Sequence, residues 1–202
     1  PEIKNILKAG DYIIIDNIVS KLNGIREYIE GHENVIRIEA SENTKSYEGI
    51  IPFFEQLIVS GFKRNNRLIA IGGGITQDVT AFIASILYRG VDWIFFPTTL
   101  LAQADSCIGS KTSINFGKYK NQLGNFYPPL SIHIDAKIVA FLQERDIKSG
   151  VGEMAHYFFV SGPGDVDFFE RQYLTTLHDQ SNMQTVVGAS LAIKKRYIEI
   201  DE

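Results

Sequence analysis

Short hydrophobic runs alternate with segments of helical periodicity along the first part of the chain. The runs are rich in Ile, Val and Phe and end at polar residues, glycine or proline, which is typical of buried strands. Strands are predicted in this way at residues 12–15, 35–38, 68–71, 93–96 and 131–135. Between them, apolar residues recur at helical spacing over 47–58 and 79–87, and Gly61 and Gly90 follow these two helices.

This alternation of strands and helices with short connections predicts an α/β fold with a Rossmann-like parallel sheet. After Phe141 the strand signals stop, and Ile147, Val151, Met154 and Phe158 mark the apolar stripe of a helix. A further helix is predicted over 186–200. We therefore predict an α/β domain over residues 1–141 and the start of a helical domain over 142–202. The sequence ends in a charged helical stretch without a stop signal, so we expect the chain to be truncated.

The composition restricts the class of protein. A net charge of -4 gives no electrostatic reason to expect nucleic acid as a partner. No apolar run approaches the roughly 20 residues that span a bilayer, and the first residues lack the apolar core of a signal peptide. The single cysteine, Cys107, excludes an intrachain disulfide and fits a reducing compartment. We expect a cytoplasmic protein without a membrane or nucleic-acid partner.

A glycine turn, Gly72-Gly73-Gly74, links the strand at 68–71 to the helix that follows. Glycines there let the backbone approach a pyrophosphate, and free amides at the helix start favour its negative charge. The turn is not a GxGxxG fingerprint, and tight strand-to-helix turns also use glycine for structural reasons, so both explanations stay open. Asp78, in the first part of the helix, would interact favourably with the helix dipole.

Polar groups are concentrated in residues 97–115, directly after the strand at 93–96. Hydroxyls, an amide, a carboxylate and a lysine follow one another there, and Lys118, Lys120 and Asn121 come next. Ligands bind at the carboxyl ends of parallel strands in open α/β sheets. Two groups of lysines around a hydroxyl-rich turn suit a substrate with phosphate and carboxylate groups. The sequence therefore predicts an anion site here.

The chain resembles the 3-dehydroquinate synthase family of sugar-phosphate cyclases. The resemblance is carried by residues 72–78 (GGGITQD), 88–90 (YRG), 97–115 (PTTLLAQADSCIGSKTSIN), 150–153 (GVGE), and Lys120-Asn121 with Gly124 and Phe126-Tyr127, with a weaker match at 42–45. These stretches follow the family's order over nearly the whole chain, and 97–115 is the most specific of them. The resemblance implies an NAD-binding α/β domain followed by a helical domain that holds metal and substrate.

The resemblance also implies which residues contact NAD. They are Asp16, Glu42, Lys45, Gly72, Gly73, Gly74, Ile75, Thr76, Gln77, Asp78, Thr98, Thr99, Lys111 and Lys120. Asp16 is a candidate for the adenosine ribose, and a turn-forming Asp-Asn pair explains it equally well.

On the substrate side, the catalytic positions that the resemblance implies are Asp105, Lys111, Lys120, Asn121, Arg89 and His156. Arg89 matches a position that reaches the substrate phosphate in a neighbouring subunit, which implies a homodimer. The alternative for Arg89 is a cation that interacts with a helix C-terminus.

Glu153 matches the first of three ligands to a divalent metal, zinc or cobalt. Glu153 and His156 share one face of a predicted helix, away from its apolar stripe. A catalytic zinc usually has about three protein ligands, and the other histidines of the chain do not match the family's remaining two. We therefore expect the truncated chain to be inactive by itself.

The implied reaction begins with oxidation of a sugar-phosphate hydroxyl by NAD, after which phosphate leaves by elimination. The same NADH reduces the ketone, and ring opening with intramolecular aldol closure gives a carbocycle. The enzyme is therefore formally a lyase. The resemblance places the family in the shikimate pathway of aromatic amino acid biosynthesis. Two rivals remain. One is an NAD-dependent polyol or glycerol-phosphate dehydrogenase, and the other is a nucleotide-binding module without catalytic function.

The chain departs from the family pattern around the expected site. Gln77, Ser110, Ser113 and Tyr119 stand where we expect glycine, and His156 replaces a lysine that contacts substrate. Imidazole is mostly neutral at pH 7, so a cation is lost. These departures raise the alternative of a related cyclase that acts on another sugar phosphate.

Overall fold

The computed structural model of the chain describes residues 3–176 and 182–201. Their tertiary contacts form two compact units. The first unit comprises the residues up to Pro97 together with Ser110–His133, and the second comprises Thr98–Gly109 and the residues from Ile134 onward. The predicted domain boundary near Phe141 stays a prediction.

Parallel strands form the centre of the first unit, and an antiparallel pair accompanies them. The strands are β1 (Tyr12–Asp16), β2 (Val35–Ile38), β3 (Leu68–Gly72), β4 (Trp93–Pro97), β5 (Lys111–Phe116), β6 (Tyr119–Phe126) and β7 (Ser131–Ile132). In the described part of the chain, five of them pair in parallel in the order β2-β1-β3-β4-β7. This confirms the predicted α/β class with a Rossmann-like parallel sheet.

Both faces of the central strands are buried, which explains their unbroken hydrophobic runs. Ile13, Ile15 and Ile71 belong to one hydrophobic cluster, which also contains Ile94 and Phe96. The alternate residues, such as Ile14, Ala70 and Phe95, point to the other face and are also fully buried.

The helices of the first unit are α1 (Arg26–Ile29), α2 (Tyr47–Val59) and α3 (Gly74–Ile86), with 3-10 turns at Ile3–Asn5, Val19–Lys21 and Leu87–Arg89. Ser46 caps α2, since its Oγ accepts a hydrogen bond from the Gly49 amide at 2.9 Å. Helix α3 packs against β1, β3 and β4. The two helices predicted at 47–58 and 79–87 are thus present, and α3 begins directly at the glycine turn.

The last predicted strand, 131–135, was wrong in length, because only Ser131 and Ile132 pair with β4. The chain leaves the sheet after His133, whose amide donates to the Phe95 carbonyl at 2.9 Å. The side chain of Asp135 then accepts a hydrogen bond from the Lys137 amide at 3.0 Å and caps the 3-10 helix Ala136–Phe141. A local capping interaction therefore replaces sheet pairing at this point.

An antiparallel hairpin, β5–β6, follows residue 109, in a stretch where the sequence analysis predicted no strand. Its turn consists of Gly117, with a φ of +54°, and Lys118. As a result, Lys111, Lys120 and Asn121 lie on the hairpin strands and not in a loop.

The second unit is helical, as predicted. Its elements are the π-helical turn Ala102–Ser106, the 3-10 helix Ala136–Phe141, α4 (Glu144–Ser161), α5 (Pro163–Thr176) and α6 (Met183–Asp201). Met154 and Phe158 of the predicted apolar stripe are fully buried beside Phe169, and Ile147 and Val151 pack against the same cluster. Within residues 3–176 and 182–201, no helix combines the length and the apolar character needed to cross a membrane.

Candidate functional site

The first unit carries a polar cluster built from three segments: the loop after β2, the start of α3 and the β5–β6 hairpin. The carboxyl ends of β2 and β3 lie at the same edge of the sheet because the strands are parallel. The loop that contains Glu42 and Lys45 follows β2, and Asp78 lies in α3, which follows β3. The fold thus brings together residues that are more than thirty positions apart in the sequence.

Lys45 and Asp78 form an ion pair, with 2.5 Å between Lys45 Nζ and Asp78 Oδ2. Only 12% of the Lys45 side chain and 22% of the Asp78 side chain are exposed. Burial raises the pKa of Asp78, and the Lys45 ammonium and the Ser113 backbone amide lower it by less. Asp78 is therefore held by a lysine and not, as its position in the sequence suggested, by the helix dipole alone.

Glu42 lies beside this pair and contacts the hairpin. Its Oε2 accepts a hydrogen bond from Asn115 Nδ2 at 2.8 Å and lies 3.5 Å from Lys120 Nζ. The Asn115 hydrogen bond, and to a smaller extent the charge of Lys120, lower the pKa of the Glu42 carboxyl. The structure therefore brings Glu42, Lys45, Asp78 and Lys120 into one cluster, all four of which the sequence had assigned to cofactor contacts.

Asn121 joins the cluster through two contacts. Its backbone amide donates to Asn115 Oδ1 at 3.0 Å, and its side-chain Oδ1 accepts from Ser113 Oγ at 3.2 Å. Asn121 has a φ of +54°, in the left-handed region. Lys111, at the start of β5, is exposed. Asn115 was not among the predicted site residues.

The glycine turn starts α3 next to Asp78. A Cβ on Gly72 would lie 2.3 Å from Thr76 Oγ1, so the turn tolerates no side chain there. Gly73 is the N-cap residue and supplies no side-chain cap. Gly74 and Ile75 are partly exposed, whereas Thr76 and Gln77 are buried. Thr76 Oγ1 is a buried oxygen for which the described residues provide no hydrogen-bond partner.

Asp16 and Arg89 have local roles in the structure. Asp16 Oδ1 accepts hydrogen bonds from the amides of Ile18 at 2.7 Å and Val19 at 3.1 Å, which is the turn interaction considered from the sequence. Arg89 follows α3 in the left-handed region with a φ of +66°, directly after Tyr88 at +50°, and its side chain is exposed. Neither observation tests the ligand contacts predicted for these two residues.

The second unit carries a separate polar group around Asp105. Asp105 Oδ1 lies 2.6 Å from Lys194 Nζ and also accepts a hydrogen bond from the Tyr157 hydroxyl. Lys194 Nζ donates in addition to the Asp105 carbonyl oxygen at 2.7 Å. Burial first, and then the hydrogen bond to Asp105, raise the pKa of the Tyr157 hydroxyl, so it stays a donor at neutral pH.

Neither Tyr157 nor Lys194 was predicted from the sequence. Lys194 lies 89 positions from Asp105, in a stretch that was interpreted only as a helix. For Tyr157, the sequence signal was its position four residues after Glu153 and directly after His156, on the same predicted helix. No comparable signal marked Lys194.

Thr98 and Thr99 also belong to the second unit. Thr98 is buried, and no hydrogen-bond partner for its Oγ1 occurs among the residues that the structure describes. Thr99 Oγ1 accepts a hydrogen bond from the Ala102 amide at 3.1 Å and so caps the helical turn that leads to Asp105.

Glu153 and His156 lie on α4, with Glu153 partly exposed and His156 exposed. The His156 ring lies 5.8 Å from the Tyr157 ring, between centroids. In the described ranges, no group of three or more His, Cys, Asp or Glu side chains could hold a metal ion. Glu153 by itself does not form a metal site.

Comparison with known proteins gives the same family that the sequence resembled. Residues 35–149 match the model of the 3-dehydroquinate synthase N-terminal domain. A 3-dehydroquinate synthase from Dictyoglomus turgidum is 40% identical over 171 residues, which are 84% of this chain and 48% of that protein. The chain thus spans about half the length of this curated relative.

The solved structures that resemble the chain include the following two. One is 2-epi-5-epi-valiolone synthase from Streptomyces hygroscopicus subsp. jinggangensis with NAD+ and Zn2+ bound, at 25% identity and a TM-score of 0.83, covering 100% of this chain and 58% of that one. The other is 2-deoxy-scyllo-inosose synthase complexed with carbaglucose-6-phosphate, NAD+ and Co2+, at 27% identity and a TM-score of 0.67, covering 77% of this chain and 45% of that one.

Proposed function

Because this chain belongs to the 3-dehydroquinate synthase family, we propose that it is the NAD-binding part of a sugar-phosphate cyclase. The observation that carries the proposal is the shielded pair of Lys45 and Asp78 beside the glycine turn. A lysine next to a glycine-rich helix start suits a ligand with a pyrophosphate. The solved cyclases that resemble this chain contain NAD+, which supports the same assignment.

The residues of the first unit fit a dinucleotide. Gly73 leaves the start of α3 without a side-chain cap, and the first amides of a helix have no partner within the helix. We assign NAD to Glu42, Lys45 and the turn from Gly72 to Asp78, with Asp16, Thr98, Thr99, Lys111 and Lys120 as further contacts. Bound NAD would take a hydride from the substrate and return it later in the same turnover.

A second set of polar side chains is assigned to substrate, and Lys111 and Lys120 belong to both sets. Lys111, Lys120 and Asn121 would bind phosphate and carboxylate oxygens, because an ammonium and an amide both donate to anions. Asp105 would accept a hydrogen bond from a substrate hydroxyl. Lys194, 2.6 Å from Asp105 Oδ1, balances its charge, and the Tyr157 hydroxyl fixes its orientation.

In the proposed reaction a substrate hydroxyl is oxidised, phosphate leaves by elimination and the ketone is reduced again. The sugar ring then opens, which exposes a carbonyl group, and intramolecular aldol closure gives a carbocycle. The lysines would neutralise the charge that develops on oxygen. The enzyme would be formally a lyase, and with a heptulosonate substrate it would belong to the shikimate pathway.

A divalent metal does not fit the described residues alone, because they contribute only the Glu153 carboxylate. We propose Glu153 as one ligand to zinc or cobalt, the ions of the two solved cyclases. The resemblance gives the other two ligands as histidines that no histidine of this chain matches, and we derive no step through the metal.

The substrate can be a heptulosonate phosphate or another sugar phosphate, and two departures from the family pattern favour the second. Ser113 Oγ donates a hydrogen bond to Asn121 Oδ1 at 3.2 Å, so Ser113 orients a residue that we assign to substrate binding. His156 is exposed on the same helix as Glu153. Turnover of the heptulosonate at the efficiency usual for the family would contradict the second choice.

We also propose a homodimer in which Arg89 reaches the substrate phosphate of the other subunit. The test mixes two inactive full-length variants, Arg89→Ala and Lys120→Ala. If Arg89 acts across the dimer, mixed dimers contain one intact site and activity returns to about a quarter of the wild-type level or less. No recovery in verified mixed dimers would overturn this arrangement.

The decisive experiment incubates the full-length protein with NAD, a divalent metal and candidate sugar phosphates, and measures phosphate release and NADH together. A cyclase releases phosphate with no net NADH. NADH formed in proportion to product would instead indicate a polyol or glycerol-phosphate dehydrogenase, and NAD binding without turnover of any sugar phosphate would indicate a nucleotide-binding module.

A further inference from the structure

Strand β6 contains a bulge where the proposed ligand contacts lie. Ile114 pairs with Leu123 and Phe116 with Tyr119, so the register advances by two residues on β5 (116 − 114) and by four on β6 (123 − 119). The extra residues fall within 120–122, where Asn121 is in the left-handed region. Bulges re-aim side chains and are frequent beside functional sites. This one presents Lys120 and Asn121.

Asn115 lies on β5 opposite the bulge and closes it. Its Oδ1 accepts the Asn121 backbone amide at 3.0 Å, in place of the ladder hydrogen bond that the bulge interrupts. Its own backbone amide donates to the Lys45 carbonyl at 2.8 Å, which ties β5 to the loop after β2. Only 6% of Asn115 is exposed.

The Asn115 amide group also binds Glu42. Its Nδ2 donates to Glu42 Oε2 at 2.8 Å and, more weakly, to the Glu42 carbonyl at 3.3 Å. A side-chain amide combines a donor and an acceptor in one planar group, whereas a carboxylate only accepts. Asn115 can therefore hold an ionised glutamate on one side and a backbone amide on the other.

We propose that Asn115 is a positioning residue that couples the loop of Glu42 and Lys45 to the bulge of Lys120 and Asn121. The inference rests on the proposed function, in which Glu42 and Lys45 contact NAD and Asn121 contacts substrate. Asn115 acts through these residues and not on a ligand. Loss of the Asn115 side chain should therefore impair the proposed NAD contacts of Glu42 and Lys45 together with the proposed substrate contact of Asn121.

Asn115→Asp separates the two halves of this role in the full-length protein. The variant keeps an acceptor for the Asn121 amide but sets a second carboxylate against Glu42. Two facing carboxylates raise the pKa of one of them. NAD affinity should therefore fall about tenfold near pH 8 and recover as the pH is lowered, when one carboxyl becomes protonated and donates again. The substrate KM should change less.

Asn115→Ala removes both contacts, so NAD affinity should fall at every pH and the substrate KM should rise as well. The matched control is Asn125→Asp, the same chemical change at an exposed position of β6, where Oδ1 accepts a hydrogen bond from the neighbouring Phe126 amide at 2.8 Å. Its NAD affinity should stay within about twofold of the wild type, without a new pH dependence. Thermal unfolding of each variant separates loss of fold from loss of positioning.

Wild-type NAD affinity and pH profile in Asn115→Asp would overturn the inference while leaving the proposed function intact. Failure of the wild-type protein to bind NAD would overturn both. If Asn115→Asp does not fold, Asn115→Gln serves instead, since it keeps both groups and displaces them by one methylene. Reduced NAD affinity without a new pH dependence would then support the coupling, and unchanged affinity would contradict it.

Discussion

Lys45 Nζ lies 2.5 Å from Asp78 Oδ2, and both side chains are largely shielded from solvent. The pair joins the loop after β2 to the first turns of α3, at the edge of the sheet where ligands bind in α/β folds. Burial raises the pKa of Asp78 although Lys45 opposes the shift. The pair therefore links the loop after β2 to α3, and it places an ammonium and a carboxyl group next to the glycine turn.

Asp78→Asn should weaken NAD binding about tenfold or more, because Lys45 loses a charged hydrogen bond of roughly 1.5–3 kcal/mol that orients it. The measurement is a titration of NAD into the full-length protein. Asp167→Asn, the same change at an exposed position of α5, should leave NAD affinity unchanged. Equal affinities of the wild type and Asp78→Asn would refute the role of the pair.

The same variant should alter the pH dependence of stability. A raised pKa means that the folded protein binds the proton of Asp78 more tightly than the unfolded chain does. The stabilisation is thus fully present below the ordinary Asp pKa of about 3.9 and is lost as the pH rises through the raised value. In Asp78→Asn the unfolding midpoint should therefore depend less on pH between the ordinary and the raised pKa of Asp78. Asp167→Asn should keep the pH dependence of the wild type.

Gly150→Ala should destabilise the second unit by about 1–3 kcal/mol. A Cβ on Gly150 would lie 2.6 Å from the Leu100 Cβ, whereas one on Gly152, in the same helix, would meet nothing within 4 Å. Gly152→Ala should instead stabilise by up to about 1 kcal/mol, since alanine is the better helix former. Urea unfolding of both variants tests this, and effects of the same sign would contradict the packing argument.

Arg67→Met should lower the free energy of unfolding by about 3 kcal/mol. Arg67 binds Asp11 through Nε at 2.9 Å and Nη2 at 2.6 Å, and Asp11 is buried. Arg26→Met removes the exposed ion pair with Glu30 and should leave the unfolding midpoint nearly unchanged. Similar losses of unfolding free energy in the two variants would show that burial does not decide how much an ion pair contributes to stability.

Tyr157→Phe and Lys194→Gln should each reduce kcat/KM for the proposed sugar-phosphate substrate by about 10- to 100-fold, because Tyr157 donates one hydrogen bond to Asp105 and Lys194 donates two. Tyr197→Phe is the matched control, since the Tyr197 hydroxyl donates to the Val160 carbonyl at 3.1 Å and, among the described residues, makes no hydrogen bond to Asp105. Wild-type kcat/KM in both Asp105-contact variants would contradict the assignment of Asp105.

The sequence predicted the buried strands well because a strand covered on both faces has few alternatives to Ile, Val and aromatic residues. It missed the hairpin because β6 is exposed almost throughout, so no alternation of apolar and polar positions marks it. The bulge also disrupts the period of two that a strand would show. Gly117 followed by Lys118 was the available turn signal.

The candidate site was predicted in parts. Glu42, Lys45, Asp78 and Lys120 were identified by resemblance, but their mutual contacts depend on strand order and on the hairpin, which local patterns do not encode. Lys194 and Asn115 were missed for the same reason, since each acquires its role from a partner distant in the sequence.

Residues 98–109 belong to the second unit although the chain enters them from Pro97 and leaves them into Ser110, both in the first. The second unit is therefore discontinuous, and a single cut cannot separate the two units as intact fragments. Recombination between members of the family would have to exchange residues 98–109 together with the helices after residue 134. A single crossover between residues 100 and 150 would pair Leu100 of one parent with Gly150 of the other, and such chimeras should be recovered only when that contact is preserved.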